Sequence, residues 1–254
     1  VLTSGGTESI LLAMLAYREQ GYKRGIKHPN IVCSNTAHAA FDKAGFLFNI
    51  EVRKVPITKD FRMDFNALKR KIDSNTVCLV ASSPEFPYGS YDPLPRIAEL
   101  AKKKGIGCHN DCCLGSFVNP FVEKAGFVLP HCIDFRVPGV TSISCDPHKY
   151  GFAPKGVSVI MFNSKQLREQ QFFAVGRWNG GLYATTTIAG SRPGNVIVAT
   201  WACMMKFGQN GYIETSKKIL EAVQGIKAAI RSEIPELSYS VDDNSCVCTI
   251  VGNG

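Results

Sequence analysis

Short apolar runs alternate with amphipathic helical stripes along almost the whole chain, and that alternation leaves few folds open. Residues 8–20 carry apolar side chains at 10, 11, 14, 15 and 17, a helical stripe that Gly21 stops. Segments 31–34, 52–55, 77–81, 106–111, 142–146 and 157–162 read as strands. Between them, 37–44, 65–72 and 94–104 read as helices, the second capped by Asp64 and the third stopped by Gly105. Strand and helix in alternation predict a mainly parallel sheet with helices on both faces, an α/β fold. Two further helices are predicted at 194–207 and 212–234, and strand-like runs at 237–241 and 246–251 then open a second unit that is cut short.

Composition narrows the class. With 254 residues, 45% hydrophobic and 20% charged, the chain has enough apolar material for a real core and is not a disordered sequence. Its longest uncharged apolar stretch, 193–205, is shorter than the roughly 20 residues a membrane-spanning helix needs. Nothing resembles a signal peptide, and a start at Val1 on a glycine-rich turn is expected of a piece of a longer protein. The net charge of +8 is spread over predicted helix faces, so a solvated surface explains most of it, and an anionic substrate or membrane surface the rest. No RNA-module signature appears, which argues against nucleic acid. Ten cysteines lie mostly in apolar runs, as expected of free thiols in a reducing compartment. Cys108, His109, Cys112, Cys113, His131 and Cys132 have poor spacing for zinc, so no metal is expected.

Ligands of open parallel sheets bind beyond the carboxyl ends of the strands, and three polar segments fall there. Thr3-Ser4-Gly5-Gly6-Thr7-Glu8-Ser9 runs into a helix. Its glycines, the hydroxyls of Thr7 and Ser9 and the helix N-terminus suit a phosphate, and equally an ordinary helix cap. It matches neither nucleotide-binding glycine motif. Asp111 ends the 106–111 strand, where a buried acid needs a partner such as a protonated ring nitrogen, or else caps the next turn. Lys149 follows His148 in a loop bounded by glycine and proline, suited to Schiff-base chemistry.

The segments TSGGTES, NTAHAAFDKA, HNDCCLGSF, DFRVPGVTSISCDPHKYGFAPKG and YATTTIAGSRPG together closely resemble the sphingosine-1-phosphate lyases, which are group II decarboxylase-like, fold-type-I pyridoxal-phosphate enzymes. The resemblance runs from Val1 to about Ile234 and departs at Ser116, Pro147 and Phe152. It implies a fold-type-I transferase-like large domain with a mainly parallel seven-stranded sheet over 1–208, lacking its N-terminal part. Residues 209–254 would supply a connecting helix and the start of a truncated small C-terminal domain. By position, Lys149 would be the Schiff-base lysine, Asp111 would face the pyridinium nitrogen, and Gly6, Thr7 and His148 would bind the cofactor phosphate. His38 would stack on the ring, and Lys155 is a candidate for substrate phosphate or proton handling.

The activity implied is cleavage of the C2–C3 bond of a phosphorylated long-chain amino alcohol, giving a fatty aldehyde and phosphoethanolamine. The base that removes the C3 hydroxyl proton is not identifiable from the sequence. A homodimer is implied, with Gly190, Ser191 and Arg192 near the subunit boundary. Attachment of the parent to the endoplasmic reticulum membrane would come through segments absent here. An amino-acid decarboxylase and a non-catalytic dimerising fragment are the alternatives.

Overall fold

The computed structural model describes residues 1–240, 242 and 244–252. In chain order the elements are β1 (Leu2–Thr3), α1 (Gly6–Lys23), β2 (Asn30–Ser34), α2 (Ala40–Phe48), β3 (Glu51–Val55), α3 (Phe65–Lys71) and β4 (Thr76–Ser82). There follow α4 (Leu94–Lys104), β5 (Gly107–Asp111), β6 (Ser142–Cys145), β7 (Ser158–Phe162) and α5 (Lys165–Glu169). The remainder comprises β8 (Phe173–Trp178), β9 (Gly181–Thr185), α6 (Gly194–Glu233), β10 (Leu237–Tyr239) and β11 (Ile250–Gly252).

Seven strands form one sheet in the order β1-β7-β6-β5-β4-β2-β3. Strands β3, β2, β4, β5 and β6 run parallel, and β7 is antiparallel to both β6 and β1. The expected mainly parallel, seven-stranded α/β sheet is therefore present. Its central strands are buried end to end, and the two-residue period divides their side chains between two cores. Ile31, Cys33, Cys78 and Val80 pack with α1 and α2. Val32, Leu79, Ala81 and Cys108 pack with α3 and α4.

Local chemistry explains the helix ends. Asp64 accepts the Asn66 and Ala67 N–H groups, and Gly105 closes α4 at φ 65°, both as the sequence predicts. Helix α2 begins three residues later than predicted, because His38 Nδ1 accepts the Ala40 N–H and 37–39 forms the preceding turn. The two helices predicted at 194–207 and 212–234 join as α6 across Gly208, whose φ of 56° and ψ of −174° break the helical path.

Three features differ from the expectation. Strands β8 and β9 form an exposed antiparallel hairpin that the apolar pattern does not signal. The predicted strand at 246–251 is reduced to β11, which pairs with β10. Cys246 instead packs with Val118, Val122 and Leu220. Val241, the last residue of the run predicted at 237–241, lies outside the described residues, as do Asn253 and Gly254 of the predicted C-terminal unit. All ten cysteines are free.

Candidate active site

A cavity of about 260 Å³ opens at the carboxyl edge of the sheet. Gly6 and Thr7 reach it from the turn after β1, His38 from the segment after β2, Asp111 from the end of β5, and His148 and Lys149 from the turn after β6. Of the seven residues to which the resemblance gives a cofactor or catalytic role, six line one space.

Gly6 and Thr7 open α1, so their N–H groups belong to the first turn, which has no intrahelical acceptors. That leaves donors and the positive end of a helix dipole at the cavity wall. Glycine at position 6 is required by close approach: a Cβ there would sit 2.6 Å from Asp146 Oδ2 and 2.9 Å from Cys113 Sγ. Glu8 braces the turn by accepting both the N–H and hydroxyl of Ser4 at 2.7 and 2.6 Å. Its other oxygen accepts the Ile188 N–H, tying the turn to the segment before α6. The Ser9 hydroxyl does not join the cavity, contrary to expectation; it bonds Thr3 at 2.7 Å and Ser158 at 2.8 Å inside the sheet.

Asp111 Oδ1 accepts the Cys113 N–H at 3.0 Å and the Ser144 hydroxyl at 2.9 Å. It therefore caps the following turn and faces the cavity at once, with Oδ2 left for an occupant. Behind it runs a buried polar chain. Ser144 Oγ lies 3.3 Å from His109 Nε2, His109 Nδ1 lies 2.8 Å from Ser142 Oγ, and Ser142 Oγ lies 2.6 Å from the Tyr17 hydroxyl. Desolvation drives the His109 imidazole down to about 4, although the Asp111 charge opposes it, so the ring is neutral at pH 7.

Lys149 Nζ lies 3.0 Å from Asp146 Oδ2, in a turn that places the two residues three apart. Burial alone would lower the Lys149 ammonium, but the Asp146 charge and hydrogen bond outweigh it and raise its pKa. His148 Nε2 stands 3.7 Å from the same carboxylate oxygen. Desolvation, joined by the Lys155 and Lys149 charges, pushes the His148 imidazole below its usual value despite Asp146.

Lys155 stands apart from this cavity. Its Nζ donates to the His148 carbonyl at 3.1 Å. It lines a neighbouring cleft of about 310 Å³ with Arg192 and with Thr3, Ser4 and Glu8. His38, whose Nδ1 is engaged by the Ala40 N–H, both caps α2 and borders the cavity.

Sequence reasoning missed two acids on the cavity wall, Asp146 and Glu85. Asp146 is only 1% exposed, and its Oδ1 has no hydrogen-bond partner; an acid three residues before Lys149 at a strand end was the available signal. Glu85 lies in the turn after β4, and no residue pattern marks it.

The arrangement offers an amine, a carboxylate oxygen and a helix N-terminus around one space. Unpartnered polar atoms, Asp146 Oδ1 and His148 Nδ1, and the cradle kept open by Gly6 fit a ring-bearing phosphate ester with a reactive carbonyl.

Comparison with known proteins agrees with that chemistry. Residues 1–248 match the pyridoxal-dependent decarboxylase conserved domain. Over 231 residues the chain is 50% identical to sphingosine-1-phosphate lyase 1 of Rattus norvegicus, covering 91% of this chain and 41% of that protein. The structure of a sphingosine-1-phosphate lyase from Burkholderia pseudomallei superposes with a TM-score of 0.96 at 39% identity, covering all of this chain and 57% of that one. A glutamate decarboxylase from Lactobacillus brevis shares the fold at 23% identity and a TM-score of 0.85, covering 60% of its chain. The chain thus spans about half the length of the relatives it matches. It belongs to the pyridoxal-dependent decarboxylase family, and within it is similar to sphingosine-1-phosphate lyases.

Proposed function

We propose that the protein carrying this chain is a pyridoxal-phosphate-dependent carbon–carbon lyase. Its substrate is a phosphorylated long-chain amino alcohol, split between C2 and C3 into a fatty aldehyde and phosphoethanolamine. The observation that carries this reading is the convergence of Lys149, Asp111 and the Gly6–Thr7 helix start on one cavity, in a chain 50% identical to a sphingosine-1-phosphate lyase.

Lys149 would hold the cofactor through Nζ, Asp111 Oδ2 the pyridinium nitrogen, and the Gly6 and Thr7 amides its phosphate, with His148 beside them. His38 would cover the ring face. When bound, pyridoxal phosphate supplies a sink for the electron pair left by the breaking carbon–carbon bond. Asp111, fixed by Ser144 and Cys113, would keep a proton on the ring nitrogen. Before Lys149 Nζ bonds to carbon it must lose the proton that Asp146 stabilises. His148 Nε2 stands 3.7 Å from the same carboxylate, so the Asp146 charge is shared between the ammonium and the imidazole. Lys155, sharing a cleft with Arg192, would offer a cation to the substrate phosphate.

A homodimer belongs to the same reading. Val198, Trp201 and Met205 expose apolar surface along the first half of α6, as a subunit contact would require. Placement of the parent at the endoplasmic reticulum membrane also belongs to it, through segments other than this chain. Among the described residues, no helix is long and apolar enough to cross a membrane.

Two measurements test the proposal. Borohydride reduction of cofactor-loaded protein, followed by peptide mapping, should find a pyridoxyl group on Lys149. Full-length protein given sphingosine 1-phosphate should release aldehyde; release of carbon dioxide from glutamate or an aromatic amino acid instead would replace the lyase by a decarboxylase.

A further inference from the structure

Helices α1 and α2 pack side by side on one face of the sheet, and each leads into the next strand, β2 or β3. Their C-terminal ends therefore meet at the amino edge of the sheet, the end opposite the cavity. There Phe46 is 87% exposed, more than any other large apolar side chain among the described residues. Leu47 is 49% exposed, and Tyr22, at the end of α1, 40%. Arg18 ties the two ends together. Its guanidinium lies 5.4 Å from the Tyr22 ring and 5.3 Å from the Phe48 ring, and donates to the Phe48 carbonyl at 3.1 Å. Apolar residues scattered singly over a surface are ordinary; three gathered where two helices end form a patch.

Unmatched cations surround the patch. Lys43 lies one turn before Phe46 and Leu47 and shares their side of α2. Lys23, Arg24 and Lys27 continue from Tyr22, all exposed. Arg24 Nη1 donates to the Gly105 carbonyl at 2.9 Å, which brings Lys102 and Lys104 of the last turn of α4 onto the same rim. The acids near these ends have partners of their own: Glu19 takes Arg18, Asp42 takes Lys54, Glu51 and Asp73 take Arg53, and Glu99 takes Lys103. Among the described residues, none of the other cations named has a carboxylate at ion-pair distance. A helix dipole favours cations in a last turn, which accounts for Lys23, Lys102 and Lys104. It accounts neither for Lys27 and Lys43 nor for the apolar side chains among them.

We propose that this amino edge is a docking surface for an anionic lipid bilayer, with Phe46, Leu47 and Tyr22 entering the headgroup boundary and the surrounding cations meeting lipid phosphates and carboxylates. Aromatic and aliphatic side chains set among cations suit a layer that is negatively charged at its surface and apolar beneath it. An acidic polypeptide would match the charge and leave Phe46 uncovered. The cavity opens at the other edge of the sheet, so docking here leaves its mouth free. The inference does not depend on the reaction proposed above, and it adds a contact made by this chain to any attachment made by segments elsewhere.

The test uses the full-length protein carrying Phe46→Trp, so that position 46 itself is read whatever else attaches the protein to a membrane. Phe46 is exposed, so the larger ring displaces nothing. The signal of the parent protein's own tryptophans, recorded identically, is subtracted. Vesicles of phosphatidylcholine with about 30% phosphatidylserine should shift the emission to the blue, and brominated acyl chains in them should quench it. Vesicles of phosphatidylcholine alone should do neither, and salt at about 0.5 M should weaken the response. Adding Lys23→Gln and Lys43→Gln should raise the vesicle concentration at half response roughly fivefold for each cation lost.

Emission at position 46 that anionic vesicles leave unchanged overturns the proposal. If that emission is already blue without vesicles, another segment of the protein or a second copy covers the edge, and the lipid reading falls. An equal response to neutral and anionic vesicles also overturns it, because attachment elsewhere then accounts for the signal. So does an unchanged half-response after Lys23→Gln and Lys43→Gln. A response to soluble polyglutamate with none to vesicles would assign the edge to an acidic protein instead.

Discussion

Replacing Gly6 with alanine tests the tightest contact in the site. The added methyl would lie 2.6 Å from Asp146 Oδ2 and 2.9 Å from Cys113 Sγ, about 1 Å inside a comfortable contact of roughly 3.5 Å. Asp146 is 1% exposed and has nowhere to retreat without leaving Lys149 Nζ, now 3.0 Å away. Overpacking of this kind costs about 1–3 kcal/mol, which for a domain of this size lowers Tm by roughly 2–10 °C. The displaced carboxylate also loses a charge-assisted hydrogen bond worth about 1.5–3 kcal/mol, or roughly 10- to 100-fold in cofactor affinity if the geometry of Lys149 governs binding. Thermal melts and a fluorescence titration with pyridoxal phosphate read the two effects separately. Gly5→Ala is the control, since its Cβ would meet only His148 Cε1 at an ordinary 3.7 Å, and its φ of 169° suits any residue. A Gly6→Ala protein with unchanged Tm and unchanged cofactor affinity would refute the reasoning, as would equal losses in Gly5→Ala.

Lys149→Ala removes the amine at the centre of the cavity, so the yellow absorption of loaded protein should vanish and turnover collapse, while weak cofactor binding through Gly6, Thr7 and Asp111 survives in an equilibrium titration. Lys155→Ala, outside the cavity and bonded to the His148 carbonyl, should keep that absorption and lower turnover; unchanged turnover would strike Lys155 from the substrate-binding residues. His109, lowered to about 4 in the fold, takes up its proton at higher pH when unfolded, so its contribution is lost as pH falls from about 6.5 to 4. That loss amounts to about 3 kcal/mol. Urea midpoints at pH 4, 5.5 and 7 should show a shallower acid loss in His109→Gln, which has no ring to protonate.

The parallel core was legible because burial on both faces demands continuous apolar runs, and those runs located β2 to β7 to within a residue or two. The same logic placed Asp111 and Lys149 at strand ends, where a polar residue after an apolar run stands out. The hairpin β8–β9 escaped because five of the six residues of β8 are exposed, leaving no alternation to detect. Its Asn179–Gly180 pair was the one local turn signal, although here the positive φ falls on the next residue, Gly181, at 100°. Glu85 and Asp146 were hidden for a different reason. The burial that makes both acids matter is set by the fold, and only Asp146 had a local signal, its place three residues before Lys149. Ser9 shows the converse: its hydroxyl suited a phosphate in sequence, but the helical turn rotates it onto Thr3 and Ser158.

The buried chain behind Asp111 has a direction. A carboxylate oxygen only accepts, so Ser144 must give its single hydroxyl proton to Asp111 Oδ1. Ser144 then receives from His109 Nε2, which fixes the neutral imidazole with its proton on that nitrogen and leaves Nδ1 to accept from Ser142. Ser142 in turn is free only to accept, and Tyr17 donates to it from α1. Every proton along the row points toward the cavity, so none of its members can reverse without the others following. The interior of the sheet thus acts on Asp111 as an oriented row of dipoles, and a change at Tyr17, on a helix that packs against the sheet, reaches the carboxylate that faces the occupant of the cavity.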